Sequence, residues 1–340
     1  MTHSHRKRGI LAAAAAAAAV VAFALAGCAT SASGGSADAP EALEHVRFGY
    51  IADFNGASLL AIADDQDLWE KHGIEVETPV FTNGPLQIQA LGTNDLDFGY
   101  IGPGAMWLPA SGQAKVAAIN SLGNADRVIA QAGITSIEDL KGKKVAVPEG
   151  TSGDMILTMA LRSAGMTIDD VEKVAMDPAT IVAAFSSKQV DAAGIWYPLI
   201  DTIQEQVPDL EILAENEDFI DDVAFPSAFV ASPSFVEENP EATTKVLAVL
   251  REAMDYRVEN LDEVIGLTSK MLKIDAAALE VEAENAKYMT AAEVDALTED
   301  GTVVTWLTAL NEYFTTAGKL TEPTDPTEYY LGEQFVEAGE

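Results

Sequence analysis

The 340-residue sequence predicts an α/β protein built as two doubly wound lobes, with a hinge and a ligand cleft between them. Three observations point there. Strand-like and helix-like runs alternate from Val46 onward, and the alternation occurs twice in succession. One local pattern also recurs, Ala90-Leu91-Gly92-Thr93-Asn94-Asp95-Leu96-Asp97 matching Ala184-Phe185-Ser186-Ser187-Lys188-Gln189-Val190-Asp191. In each copy a short helix turns through polar residues into a strand that opens Leu/Val-Asp. Alternation at this spacing implies parallel sheets with right-handed crossovers. A ligand then belongs beyond the carboxyl ends of the strands, in the crevice between lobes.

Taken in order, the chain opens with Arg6-Lys7-Arg8 and an Ala-rich apolar run from Ile10 to Leu25. That run is too short to span a membrane comfortably as a permanent helix, so residues 1–27 read as a secretion signal. Leu25-Ala26-Gly27-Cys28 resembles a lipoprotein processing box. The resemblance implies that Cys28 becomes a lipidated N-terminus anchored to the membrane; the alternative is an ordinary signal followed by a chance cysteine. Residues 28–44, rich in Ser, Gly, Ala and Pro, read as a flexible tether.

The first α/β run gives strands at 46–51, 74–81, 96–101 and 115–120, with helices at 58–72, 85–91 and 105–109 between them. The second gives strands at 144–148, 171–176, 190–195 and 210–214, with helices at 154–165, 179–187 and 198–206. Residues 125–134 are expected to cross from lobe one to lobe two, and 225–232 to cross back. After Pro233 the pattern is helical: 234–239, 241–260, 262–272, 275–287 and 301–317. Lobe two is thus expected at 129–230 and lobe one at 45–128; that 231–340 also belongs to lobe one is what the family resemblance described next implies. Two strand-like crossings make a hinge able to close around a guest.

Ser136 to Gly165 is the most informative stretch. A short Ser-capped helix, IEDL, stops at Gly142; the apolar strand Lys144–Pro148 follows; then a loop of small residues, Glu149-Gly150-Thr151-Ser152-Gly153, feeds an amphipathic helix ending at Gly165. Such a loop leaves unpaired N–H groups at the helix start, facing whatever sits above the sheet edge. The glycines follow the lysines instead of preceding them, so the stretch is no phosphate-binding P-loop. It resembles the second lobe of ABC-importer solute-binding proteins, in the taurine, aliphatic sulfonate and nitrate group, where "sxxDLKGKxVAVpxGts" opens that lobe. The likeness runs from His45 to the C-terminus. It implies a type II periplasmic-binding-protein fold, a small-molecule solute, partner permease and ATPase subunits, an extracytoplasmic location and a monomer without cofactor.

Composition narrows the alternatives. The net charge is −34, and without the first 27 residues 17 basic residues face 54 acidic ones. Such a surface repels nucleic acid and anionic headgroups, and the scattered acids read as a solubilising coat. Cys28 is the only cysteine, which excludes intrachain disulfides, cysteine zinc sites and a catalytic thiol in the folded body. Of four histidines, two lie in the leader, leaving His45 and His72; a His-based triad or metal site is not expected. Enzymes on the same fold, of the pyrimidine-synthesising or porphobilinogen deaminase kind, depend on cysteine or histidine. A sensor domain would need a signalling element that nothing after Leu320 supplies.

Loops after strand ends supply the cleft candidates: Asp53, Phe54 and Asn55; Asn83 and Gly84; then Gly102, Pro103 and Gly104. The second lobe offers Thr151, Ser152, Asp154, Trp196 and Tyr197, and the return crossing offers Asp222, Phe225 and Ser227. The family resemblance implies ligand contact at Asp53, Asn55, Gly102, Thr151, Ser152, Asp154 and Trp196. Thr151 and Ser152 either donate to an anionic oxygen or cap their helix. Asp154 is either a ligand contact or a first-turn acid favoured by the dipole. Asp53 has no evident capping duty and is expected to face the ligand. Trp196 is either a cleft wall or core. Sulfonate binders of the group carry hydroxyl residues where this chain has Gly102-Pro103-Gly104, and taurine binders carry a carboxylate where it has PSAFV. With more acids and aromatics than donors, the cleft suits a zwitterion such as taurine, or a small organic amine, better than nitrate or a bare alkanesulfonate.

Overall fold

The structure, a computed structural model, describes residues 43–339. The expected signal, Cys28 and the tether up to residue 42 lie outside them. Glu44, placed at the tether's end, already belongs to the first strand.

The first sheet begins with β1 (Glu44–Arg47) and β2 (Tyr50–Ile51), one strand interrupted at Gly49. There is no room for a side chain at Gly49, because a Cβ would lie 2.7 Å from the Leu96 side chain. β3 (Ile74–Glu77) and β4 (Val80–Phe81) run parallel beside them and break at Pro79, which cannot donate to a ladder. β5 (Phe98–Ile101) joins through a parallel bridge from Phe48 to Phe98. β6 (Lys115–Gly123) ends this run, and β7 (Asp126–Ala130) opens the second sheet only two residues later. β8 (Lys144–Val147), β9 (Glu172–Ala175), β10 (Ala192–Trp196) and β11 (Glu211–Glu215) complete that sheet in the order β11-β7-β10-β8-β9. β12 (Pro226–Ala231) and β13 (Ala286–Tyr288) return to the first sheet, whose order is β13-β6-β12-β5.

Both sheets are mixed, which corrects the expectation of parallel ones. β12 inserts between β5 and β6 and runs antiparallel to each. β7 likewise lies antiparallel between β10 and β11. The crossing segments are therefore central strands of the lobes they enter. The chain changes sheets at residues 124–125 and again between Glu215 and Pro226, ahead of the expected boundaries at 128/129 and 230/231. Deleting either crossing would remove buried ladder as well as hinge.

The helices follow the sequence reading with local shifts. The expected helix 58–72 starts earlier, at Phe54, where Asp53 caps it, and breaks at Asp67, which adopts a left-handed φ of 55°. β13 and the helix Ala291–Glu299 were not anticipated. The first lobe's core is aromatic: Phe48 lies 5.5 Å from Phe98 and 5.4 Å from Phe229, ring centre to ring centre. The outer face of the second sheet packs Ile129, Ala146 and Ile195 against Phe185 and Ile203 of two covering helices. Among the described residues no helix is long and apolar enough to cross a membrane.

Candidate functional site

The carboxyl ends of the strands from both sheets meet at a cleft with a cavity volume of about 60 Å³. That is room for roughly four to six water-sized groups, hence for a small solute and not for a peptide. The first lobe contributes Asp53 and Asn55 after β2, Asn83 after β4, Tyr100 and Gly102 from β5 and its loop, and Ser121 from β6. The second contributes Asp126, Thr151, Ser152, Trp196 and Tyr197. Ser227 of β12 and Glu282 of the helix Ala276–Glu284 complete the wall.

The two lobes approach closely here because glycines permit it. A Cβ on Gly104 of the first lobe would sit 2.2 Å from the Thr151 carbonyl and 2.3 Å from Ser152 N. Behind that loop, Gly153 and Gly194 bring the helix Ser152–Ser163 onto β10, with a Gly194 Cβ only 2.1 Å from Gly153 O. The Thr151–Ser152 turn is thus fixed by backbone packing on both sides.

Asp53 lines the cleft but also caps its helix, its Oδ1 accepting from Gly56 N at 2.7 Å; the expectation of no capping duty is corrected. Burial, with Asp126 nearby, raises its pKa to about 7 against an ordinary 3.8, opposed by the Gly56 bond. Glu282 accepts from Phe54 N at 2.6 Å, from Asn55 N at 3.1 Å and from Asn55 Nδ2 at 3.0 Å. Burial and the Asp53 charge nevertheless hold its carboxyl well above the usual range. Asp126 is raised too, by burial, against the pull of Ser152, Asn216 and Arg127. Three buried carboxylates therefore converge on one small space, and none of the lining residues is Lys, Arg or His.

Behind the lining lies a polar network. Ser121 Oγ donates to Asn55 Oδ1 at 3.1 Å and shares a 2.8 Å hydrogen bond with Ser227 Oγ. Arg257, fully buried, donates to Asn120 Oδ1 and the Asn120 carbonyl, both at 2.8 Å, and to Ser58 Oγ at 3.1 Å. Burial lowers this guanidinium to about 10.

Other candidates are placed differently. Phe54 turns into the core, 5.7 Å from the Tyr288 ring, and is not part of the wall. Thr151 lines the cleft, but its hydroxyl donates to Pro148 O at 2.6 Å and is not free for an anion. Asn83 sits at the mouth and caps the helix Gly84–Gly92 through Leu86 N at 3.1 Å. Asp222 is exposed and outside the cleft, and Phe225 is buried without lining it. Asp154 is also outside. It accepts from Gly150 N at 3.0 Å and from the ammoniums of Lys173 and Lys319 at 3.1 Å each, beside a second cavity of about 90 Å³. Burial pushes Asp154 up, but that N–H and the two lysines hold it below the carboxylate range. It tethers the Thr151 loop from outside the cleft.

Asp126 and Glu282 were missed. Asp126 is the first residue of β7, whose amino end reaches the cleft because that strand runs antiparallel to its neighbours, whereas the candidates were sought after strand ends; Glu282 sits in a helix whose sequence, VEAEN, offers no signal that one acid is buried.

Comparison with known proteins agrees with this architecture. Over 291 residues the chain is 58% identical to a protein of Brucella abortus (strain 2308) provisionally named a binding protein, covering 86% of this chain and 91% of that one. A Bacillus subtilis (strain 168) protein provisionally named as aliphatic sulfonates-binding is 30% identical over 270 residues, with 76% of this chain and 78% of the relative covered. The solved alkanesulfonate-binding protein SsuA of Xanthomonas axonopodis pv. citri matches with a TM-score of 0.68 at 20% identity, over 85% of this chain and 99% of that one. That likeness gives the fold, the type II periplasmic-binding-protein architecture. A family model described as NMT1/THI5-like matches residues 56–264, and the chain belongs to the NMT1/THI5-like family.

Proposed function

We propose that the protein is the extracytoplasmic solute-binding component of an ABC importer, closing on a small organic zwitterion or amine and delivering it to a permease and its ATPase. The observation that carries this reading is the 60 Å³ cleft walled by both lobes, with acidic and aromatic groups converging on it. The naming of the relatives as binding proteins supports binding over catalysis. The cleft lining also contains neither His nor Cys. In this reading the cleft residues Asp53, Asn55, Asn83, Gly102, Ser152, Trp196 and Tyr197 contact the solute, joined by Asp126, Ser227 and Glu282.

A thermal-shift panel of taurine, alkanesulfonates and small amines tests it. A ligand at about 100-fold over its Kd stabilises the folded state by about 2.7 kcal/mol, so a true solute raises the midpoint and a set of unmoved midpoints rejects the ligand class. We further propose a lipid anchor on Cys28 and a monomeric state. Acyl labelling of the wild type but not of Cys28→Ser checks the first, and sedimentation the second.

A further inference from the structure

The cleft is electrostatically unfinished. Asp53 is 6% exposed, and only its Oδ1 is paired, with Gly56 N; among the described residues no donor bonds to Oδ2, which opens onto the cleft. Trp196 is 9% exposed and lines the same space, and its indole N–H finds no acceptor among the described residues. Asp126 stands on the other lobe, 5% exposed, held by Asn216 Nδ2 at 3.2 Å. The two guanidiniums adjoining this region are committed elsewhere. Arg127 reaches Glu215 at 3.1 Å and the Asn124 and Asp126 carbonyls, and Arg257 serves Asn120 and Ser58.

A carboxylate oxygen left without a protein donor in a narrow cleft calls for a cationic donor, and an indole N–H left there without a protein acceptor calls for an acceptor. Resting on the solute-binding reading above, we propose that the solute must carry a positive charge, as a protonated amine, amidine or amino-heterocycle, seated between Asp53 and Asp126, with an acceptor on the same molecule taking the Trp196 N–H. A divalent metal ion does not fit this place. Both Glu282 oxygens are occupied by N–H donors, which leaves one carboxylate from each lobe where calcium requires six to eight oxygens. Because Asp53 and Asp126 belong to different lobes, closing an empty or anion-filled cleft presses two carboxylates together, and a cation converts that repulsion into attraction across the seam. The charge on the solute is then what favours closure, and an alkanesulfonate without an amine lacks it.

The other titratable groups facing Asp53 are Glu282, Tyr100 and Tyr288, none of them a cation. With Asp53 raised to about 7, a bound cation expels a proton near neutral pH.

Isothermal titration calorimetry with taurine, ethanolamine, choline and acetamidine as probes that carry a cationic group, and with isethionate and ethanesulfonate as probes lacking the cation, decides the matter. It is run on the wild type, Asp53→Asn and Asp126→Asn. The expected result is one or more cationic probes binding at least 100-fold tighter than either anion, with proton release measured across two buffers. That preference falls tenfold or more in each variant, whose thermal midpoint stays at or above the wild type because a buried charge has been removed. Isethionate or ethanesulfonate binding as tightly as the amines overturns the inference and leaves the solute-binding reading standing. Silence from all six probes, with no change in tryptophan emission, overturns both.

Discussion

Replacing Gly104 with Ala adds a single methyl group at the seam between the lobes. Built on the existing backbone, that carbon would lie 2.2 Å from both the carbonyl carbon and oxygen of Thr151, and 2.3 Å from Ser152 N. Side-chain carbons do not approach backbone closer than 3.0 Å, so the loops must part by about 0.8 Å at this point. Relief by side-chain rotation is not available, because the obstructing atoms are backbone fixed by the Gly153–Gly194 contact. Overpacking of this kind costs about 1–3 kcal/mol, and here the cost falls on the closed arrangement of the lobes alone. Affinity for the solute should therefore drop roughly 5- to 150-fold, while the folding stability of the empty protein changes little. Calorimetric titration gives the first quantity, denaturant unfolding without ligand the second, and small-angle scattering shows whether the liganded variant stays more extended. Wild-type affinity in Gly104→Ala would refute the idea that binding draws these loops together, and so would an equal loss of stability without ligand.

Three other outcomes follow from particular contacts. Asp53 has a folded-state pKa of about 7 against an ordinary 3.8, so between those values the native state keeps a proton that the unfolded chain has lost. Stability should fall as pH rises from about 4 to about 7, by up to about 4 kcal/mol from this group. Asp53→Asn, which can still cap the helix, should make the slope between about pH 5 and about pH 7.5 shallower in denaturant titrations, leaving the part that Glu282 and Asp126 contribute; an unchanged slope contradicts the assignment. Asp154→Ala frees Gly150 N and takes from Lys173 and Lys319 their buried partner, leaving both ammoniums beside Glu149, so a loss on the order of 1–3 kcal/mol with weakened solute binding is expected, the Asn variant losing less. Trp196→Ala should weaken binding tenfold or more, about 1.4 kcal/mol, with the loss of any ligand-induced change in tryptophan emission.

The second-lobe turn was legible because its chemistry is local. A four-residue strand ending in Val145-Ala146-Val147, a run of small residues and a helix place Thr151 and Ser152 at a sheet edge whatever surrounds them. Trp196 was legible for the same reason, as the last residue of its strand. Asp154 was not, since the lysine that draws it away from the cleft, Lys319, is 165 residues distant and arrives on a segment after the last long helix. Glu282 is a similar case: its partners Phe54 and Asn55 lie 228 and 227 residues earlier. The mixed sheets escaped notice because periodicity tells that β12 is a strand and not where it inserts. Its place between β5 and β6 is decided by the packing of Phe229 against Phe48 and Tyr100.

The most direct measurement is a crystal structure of the protein with the tightest-binding solute from the panel. Density for one small molecule touching Asp53 of the first lobe and Asp126 and Trp196 of the second, with its positively charged end toward the two carboxylates, is the result expected. A solute held on one lobe alone, or in the 90 Å³ cavity beside Asp154, would contradict the account.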